Sequence, residues 1–292
     1  MAIVLATRRS ELAMAQTGLV ADRIRARGHD VELLPLTTAG DRWSADGDAA
    51  PPDKGMFVKE LERALLDGAA DLAVHSAKDI PAEMPDGLGL VGISPRADAR
   101  DVVVGAPGGL LALPPGARVG TGSPRRAAQI EEARPDIEIV DIRGNVPTRL
   151  EKLASGSADA LVIAAAGLDR LGRDDVARAP LPVDLSTPAP GQGYLALQGR
   201  LDDREMTDLG AALTDDVDRA CLEAERAVLV AVGGGCRSAV GAHCAPLADG
   251  GYSLAVYVRH EGASVGVRTV VEGQIATALA AEAIAGLATN DS

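Results

Sequence analysis

Short β-rich runs alternate with helical patterns through the first two-thirds of the chain, and no other feature limits the fold as much. Strand-like runs fall at Ile3–Thr7, Val31–Leu36, Leu72–His75, Arg118–Thr121, Ile137–Ile142 and Ala160–Ile163. Helical patterns occupy Ser10–Arg27, Phe57–Asp67, Pro124–Ala133 and Val146–Ala154. This is the signature of an α/β protein with mostly parallel sheets, whose ligands bind at the carboxyl ends of strands. The stretch 180-PLPVDLSTPAPGQG-193 reads as a crossover between domains, and the pattern changes beyond it. Helical Asp216–Val230 leads to a glycine loop at 233–235, strand-like runs at 252–258 and 265–271, and a terminal helix. That is an α+β module appended to the α/β part. The length of 292 residues allows two or three domains with a sizeable core. The proline- and acid-rich segment Asp41–Asp53 has no periodicity and is expected to be a mobile surface loop.

Charge and aromatic content exclude several classes of partner. The chain carries 42 acidic against 29 basic residues, a net charge of −13, which argues against a duplex-binding surface. With one Phe and one Trp it lacks the stacking platforms that hold single-stranded nucleic acid. No apolar run approaches membrane-spanning length, and the opening MAIVLATRRS lacks a signal-peptide pattern. No membrane or nucleic-acid partner is expected, and a cytoplasmic location is. Cys221, Cys236 and Cys244 form no CxxC pair and leave an odd thiol, so a disulfide framework is not expected. His243 and Cys244 near Cys236 lack the spacing of a zinc site, so no metal is expected.

Against that acidic background the basic residues occupy special places. Arg8 and Arg9 follow the first strand and precede a helix, and Lys78 and Asp79 follow the strand LAVHS. Arg125 and Arg126 follow a strand ending at Gly120-Thr121, Arg143 ends another, Arg149 lies at most two turns into the next helix, and Arg170 closes AAAGLDRLG. In an open α/β sheet such strand ends converge on one cleft, where helix-start N–H groups and guanidinium forks receive carboxylates or phosphates. The stretch 120-GTGSPRRAAQI-130 sharpens the point. Ser123 is a good N-cap and Pro124 suits the first helical position. Yet Arg125 and Arg126 fall in the first turn, where the macrodipole already places roughly half a positive charge. An anion must complete that site, and a small polyanionic ligand is expected to supply it.

Asp79, in 74-VHSAKDIP-81, reads as a carboxylate at a buried edge facing arginines, able to stabilise a developing cation or shuttle a proton. A turn-forming Asp ahead of Ile80-Pro81 is the alternative. His75 reads as a packed strand residue and Cys221 as a core thiol. Cys236, on the glycine loop 233-GGGCRSAV-240 beside Arg237, has the setting of a nucleophile or attachment point, or of an ordinary loop cysteine.

Eight collinear blocks carry a resemblance. ATRRSELAMAQ, KGMFVKELE, HSAKDIP, GTGSPRRAAQ, RGNVPTRL, AAAGLDRLG, PGQG and GGGCRSAVG resemble, in order and along the whole chain, the porphobilinogen deaminase (hydroxymethylbilane synthase) family. The resemblance implies two lobes like those of periplasmic binding proteins, with mixed, mostly parallel sheets, and a C-terminal α+β domain. It implies boundaries of 1–97 with 189–212 for the first lobe, 98–188 for the second and 213–292 for the third domain. It implies a dipyrromethane cofactor held by a thioether to Cys236. The activity implied is the stepwise deaminating condensation of four porphobilinogen molecules, then hydrolytic release of hydroxymethylbilane, by a transferase of tetrapyrrole biosynthesis acting as a monomer. Asp79 takes the catalytic position. Lys78, Ser123, Arg125, Arg126, Arg143 and Arg149 match cofactor-contacting positions, and Arg8, Ser10, Lys54, Phe57 and Arg170 match substrate-end positions. Each pyrrole ring carries an acetate and a propionate, so a growing chain would present many carboxylates to the arginines. The rival reading is a non-catalytic small-anion binding protein on the same two lobes.

Overall fold

The computed structural model describes residues 2–41, 57–233 and 239–289. The chain falls into two compact units, one of residues 1–97 with 193–219 and the other of residues 98–192 with 220–292.

In the first unit, β1 (Ile3–Arg8), β2 (Val31–Leu36), β3 (Leu72–Ser76), β4 (Leu88–Ile93) and β10 (Leu195–Arg200) form a five-stranded sheet in the order β2-β1-β3-β10-β4. β1 pairs in parallel with β2 and β3, whereas β10 runs antiparallel to both neighbours. Both faces are covered, so the strands are near-continuous apolar runs rather than alternating ones. Helix α1 (Glu11–Arg25) buries Ala13, Val20, Ala21 and Ile24, at helical spacing, and Val20, Ala21 and Ile24 pack with Ile3, Leu5 and Val74. Helix α2 (Lys59–Leu66) packs Leu61 and Leu65 against Ala6 and Ala73 on the other face. Thr17 Oγ1 donates to the Ala13 carbonyl at 2.9 Å and lies 2.6 Å from Thr7 Oγ1, which ties α1 to the end of β1.

The second unit repeats the plan. β5 (Asp101–Val104), β6 (Arg118–Gly120), β7 (Glu138–Val140), β8 (Ala160–Ala164) and β9 (Arg178–Pro180) are ordered β7-β6-β8-β5-β9. Again the first three are parallel and the fourth, β5, is antiparallel to both neighbours. Helices α3 (Pro124–Ala133), α4 (Val146–Ala154) and α5 (Ala165–Arg170) follow β6, β7 and β8. In the first unit α6 (Arg204–Leu213) follows β10, and α7 (Asp216–Ala231) begins there and continues into the second.

The last part of the second unit is an antiparallel sheet of β11 (Ala239–Pro246), β12 (Tyr252–Arg259) and β13 (Val267–Gly273), covered by α7 and α8 (Ala276–Thr289). Its core joins Cys221, Val228, Cys244, Leu254, Val256 and Leu279, so Cys221 is the core thiol its spacing predicts. Helix α3 reaches this sheet with its far end. Glu132 accepts from Tyr257 Oη at 2.6 Å, the Gly266 N–H at 2.8 Å and Arg268 Nη1 at 2.6 Å, and Glu131 pairs with Arg259 at 3.0 Å.

The strands expected at Val31–Leu36 and the helices expected at Pro124–Ala133 and Val146–Ala154 have those bounds. β4, β5, β9, β10 and β11 were not anticipated. The segment 42–53 of the expected loop Asp41–Asp53 lies outside the described residues. No helix among the described residues is long and apolar enough to cross a membrane.

Candidate functional site

In the first unit a pocket opens where β1 and β3 end. Arg8, Ser10, Gln16, His75, Ser76 and Asp79 supply its polar lining, with Phe57, Val58 and Val74 among the apolar groups. Each polar residue gets there by local geometry. Arg8 is the last residue of β1, and Ser10 caps α1, its Oγ accepting from the Ala13 N–H at 3.3 Å. The hydroxyl hydrogen of Ser10 and the N–H groups of Glu11 and Leu12 remain for an anion. Gln16 lies farther along α1, and its Nε2 donates to Ser76 Oγ at 3.3 Å across to β3. A short 3-10 turn over Ala77–Asp79 follows β3 and carries Lys78 and Asp79.

Arg8 is held on two sides. Its Nη2 and Nε donate to Asp41 Oδ1, the latter at 3.0 Å, and its guanidinium lies 4.4 Å over the Phe57 ring. Gly40 makes room for that ring, since a Cβ there would collide with Phe57 Cε1. Burial raises the Asp41 carboxyl, but the Arg8 hydrogen bond and the Thr38 N–H outweigh it and hold it below the usual carboxylate range. Asp79 is exposed, not at a buried edge, because the turn carries it beyond the strand end to the rim of the pocket. His75 is buried, as a packed strand residue should be, yet it also lines the pocket. Burial pushes its imidazole down to about 4, the nearby Arg8 charge adds to that, and the Gln198 amide acts in the opposite sense. His75 is therefore neutral at physiological pH.

In the second unit Arg125 and Arg126 do converge, and the structure names an anion for them. Asp101, fully buried at the start of β5, receives Arg125 Nη1 at 2.8 Å, Arg126 Nη2 at 2.8 Å and Arg126 Nε at 3.0 Å. Ser186 Oγ and Gln192 Nε2, from the crossover segment, add bonds of 2.8 Å each. Burial raises the Asp101 carboxyl, and the two guanidinium charges more than reverse that, keeping it far below its ordinary value. The expectation that a ligand alone completes this helix start is corrected: Asp101 neutralises one of the two arginines. The pair still exceeds the carboxylate by one positive charge. Among the described residues Nε and Nη2 of Arg125 make no hydrogen bond, so donors remain for a further carboxylate.

Ser123 caps α3, accepting from the Arg126 N–H at 3.5 Å. Asn145 caps α4 in the same way at 2.9 Å, and neither helix has an acidic residue in its first turn. Arg143 pairs with Asp141 at 2.7 Å, and its Cγ would lie 3.4 Å from a Cβ on Gly122, which places it beside the GTGS turn. Arg149 lies about one turn into α4, within the two turns expected, with Nε donating back to the Gly144 carbonyl at 2.8 Å. Arg170 ends α5, and burial pushes it down to about 10, which leaves it charged at neutral pH. Lys54 and Cys236 lie outside the described residues. Residue Ala239, shortly after Cys236, packs with Ala128 of α3 and with Tyr257.

Sequence reasoning assigned no site role to Gln16, Asp41, His75, Ser76 or Asp101. Gln16 lay in view, spaced along α1 so that it faces the same pocket as Ser10. Asp101 had no local signal, because its partners are distant in the chain.

The basic residues fit a dipyrromethane, a polycarboxylate, and the comparisons agree. Residues 3–208 match the family described as porphobilinogen deaminase, dipyromethane cofactor binding domain. Among curated relatives, porphobilinogen deaminase of Roseiflexus sp. (strain RS-1) is 47% identical over 243 residues, covering 82% of this chain and 80% of that protein. Porphobilinogen deaminase of Sorangium cellulosum (strain So ce56) is 47% identical over 252 residues, covering 85% and 83%. Among solved structures, a nutrient binding protein from Burkholderia cenocepacia bound to methionine is 14% identical, with a TM-score of 0.44 over 78% of this chain and 95% of that one. A profile match across most of the sequence, relatives this similar and a pocket built from the same motif blocks lead to one conclusion: the chain belongs to the porphobilinogen deaminase family.

Proposed function

We propose that this protein is a hydroxymethylbilane synthase that condenses porphobilinogen on a dipyrromethane attached to Cys236. The observation that carries the reading is the pocket of the first unit. There a cation held in place by its neighbours (Arg8), a capped helix start (Ser10) and an exposed carboxylate (Asp79) meet at adjacent strand ends. Arg8 and Ser10 bind the carboxylates of the incoming ring, with Phe57 against its face and Lys54 and Arg170 as further contacts. Loss of ammonia leaves a ring cation, and the exposed Asp79 carboxylate stabilises that charge and helps proton transfer at the attacked carbon.

The dipyrromethane, when bound, supplies the nucleophilic pyrrole carbon. Lys78, Ser123, Arg125, Arg126, Arg143 and Arg149 hold its side-chain carboxylates. The unused donors of Arg125 support this, as does the packing of Ala239 on Ala128, one helical turn from Arg125. The three-domain division at 97/98, 188/189 and 212/213 belongs to the same reading. It is supported by a core in the last domain drawn wholly from residues after Asp218. The reading also includes a cytoplasmic location and a monomeric state, the latter testable by sedimentation.

Intact mass decides between this and a non-catalytic anion-binding protein. The purified protein is expected to carry the added mass of two pyrrole units, and Cys236→Ser is expected to lose it. A wild-type protein of unmodified mass that consumes no porphobilinogen would favour the binding-protein reading.

A further inference from the structure

Beneath the pocket of the first unit lies a buried polar chain that the assigned residues do not use. Glu62, His75 and Gln198 are all buried, on α2, β3 and β10. In the β3–β10 pairing His75 is opposite Ala196 and Ala73 is opposite Gln198, so the two polar side chains lie diagonally on one face of the sheet. Gln198 Nε2 donates to Glu62 Oε1 at 3.1 Å. That bond fixes which end of the amide is which, and leaves Gln198 Oε1 as an acceptor. Within these three side chains two buried atoms then stand without a hydrogen-bond partner among the described residues: Gln198 Oε1 and His75 Nε2. One proton on Nε2 satisfies both at once. It also sets the imidazole tautomer and leaves Nδ1 with a lone pair, on a residue that lines the pocket.

We propose that His75, held as the Nε2–H tautomer by Gln198 and Glu62, accepts a hydrogen bond at Nδ1 from the pyrrole N–H of bound porphobilinogen. The ring N–H is the donor rather than the aminomethyl ammonium, because the Arg8 charge is felt at His75 and repels a second cation. The inference rests on the porphobilinogen reading of this pocket.

The test uses ¹⁵N-histidine in the intact wild-type protein, which has four histidines. His75 is expected to show a protonated Nε2 and an unprotonated Nδ1 at neutral pH. The Nδ1 signal is expected to move on addition of the porphobilinogen analogue whose aminomethyl group is replaced by methyl, which cannot lose ammonia. A proton on Nδ1, or an Nδ1 signal that stays put while the bound analogue shifts other signals, overturns the proposal. In kinetics, His75→Leu is expected to raise KM for porphobilinogen about tenfold with kcat within about threefold, and His75→Gln, which keeps an acceptor, to restore most of the loss. Equal KM values for wild type and a folded His75→Leu would also overturn it. Failure of the underlying reading shows separately, as a wild-type protein that neither carries the pyrrole adduct nor consumes porphobilinogen.

Discussion

The two five-stranded sheets share a pattern of strand directions, with the fourth strand antiparallel to both its neighbours, yet their strand ends are finished in opposite ways. In the first unit a carboxylate, Asp79, is left exposed at the rim, and the neighbouring cation is held by a different acid, Asp41. In the second unit the carboxylate, Asp101, is wholly buried and spends itself on two arginines at once. One plan therefore yields a pocket with a free anion and a helix start with a surplus cation. Burial decides the difference. An exposed acid is available to a ligand, whereas a buried one becomes part of the scaffold that aims its partners.

The largest effect that would sharpen this contrast is on turnover. Asp79→Asn is expected to lower kcat for porphobilinogen consumption by about two to four orders of magnitude, while the melting temperature stays close to that of wild type. Near-normal turnover would remove Asp79 from the chemistry. Asp101→Asn should do the reverse, because it leaves two buried guanidinium groups without their counter-charge. A loss of about 3–5 kcal/mol in denaturant unfolding is expected. A variant as stable as wild type would break the distinction between scaffold and site.

A third effect separates the units by pH. His75 binds its proton more weakly folded, at about 4, than at its ordinary value of 6.5. Between those values the unfolded chain takes up more protons, so stability falls as pH drops through that window, by about 3 kcal/mol from this group. His75→Gln is expected to flatten that part of the stability curve. Asp101, whose carboxyl is lowered, has its stabilisation in place above the ordinary carboxylate range and loses it only in stronger acid. The smallest effect is at Ser10. Ser10→Ala removes the α1 cap and should cost about 1 kcal/mol, together with a modest rise in KM.

Much of the architecture was legible because the parallel strands β1, β2, β3, β6 and β8 are compact apolar runs, and most lead directly into a helix or turn. The antiparallel members were not. β9 is three residues ending in a proline, and β10 carries a glutamine and a glycine whose places make sense only beside β3 and β4. The pocket residues Arg8, Ser10 and Asp79 could be found as strand ends and a cap, since those positions are set locally. Asp101 could not, because its bonds reach Arg125, Ser186 and Gln192, from 24 to 91 residues away. What chain-local chemistry fixes can be read in order along the sequence; what long-range closure fixes cannot.

The insertion of β10 between β3 and β4 has a consequence for biosynthesis. Until the ribosome has delivered residue 200, the leading ninety-seven residues have a slot in their sheet with nothing to occupy it, and β3 and β4 have no bridge. Nascent chains stopped short of that length should stay protease-sensitive and prone to stick together, and the first unit should mature late although it is made first.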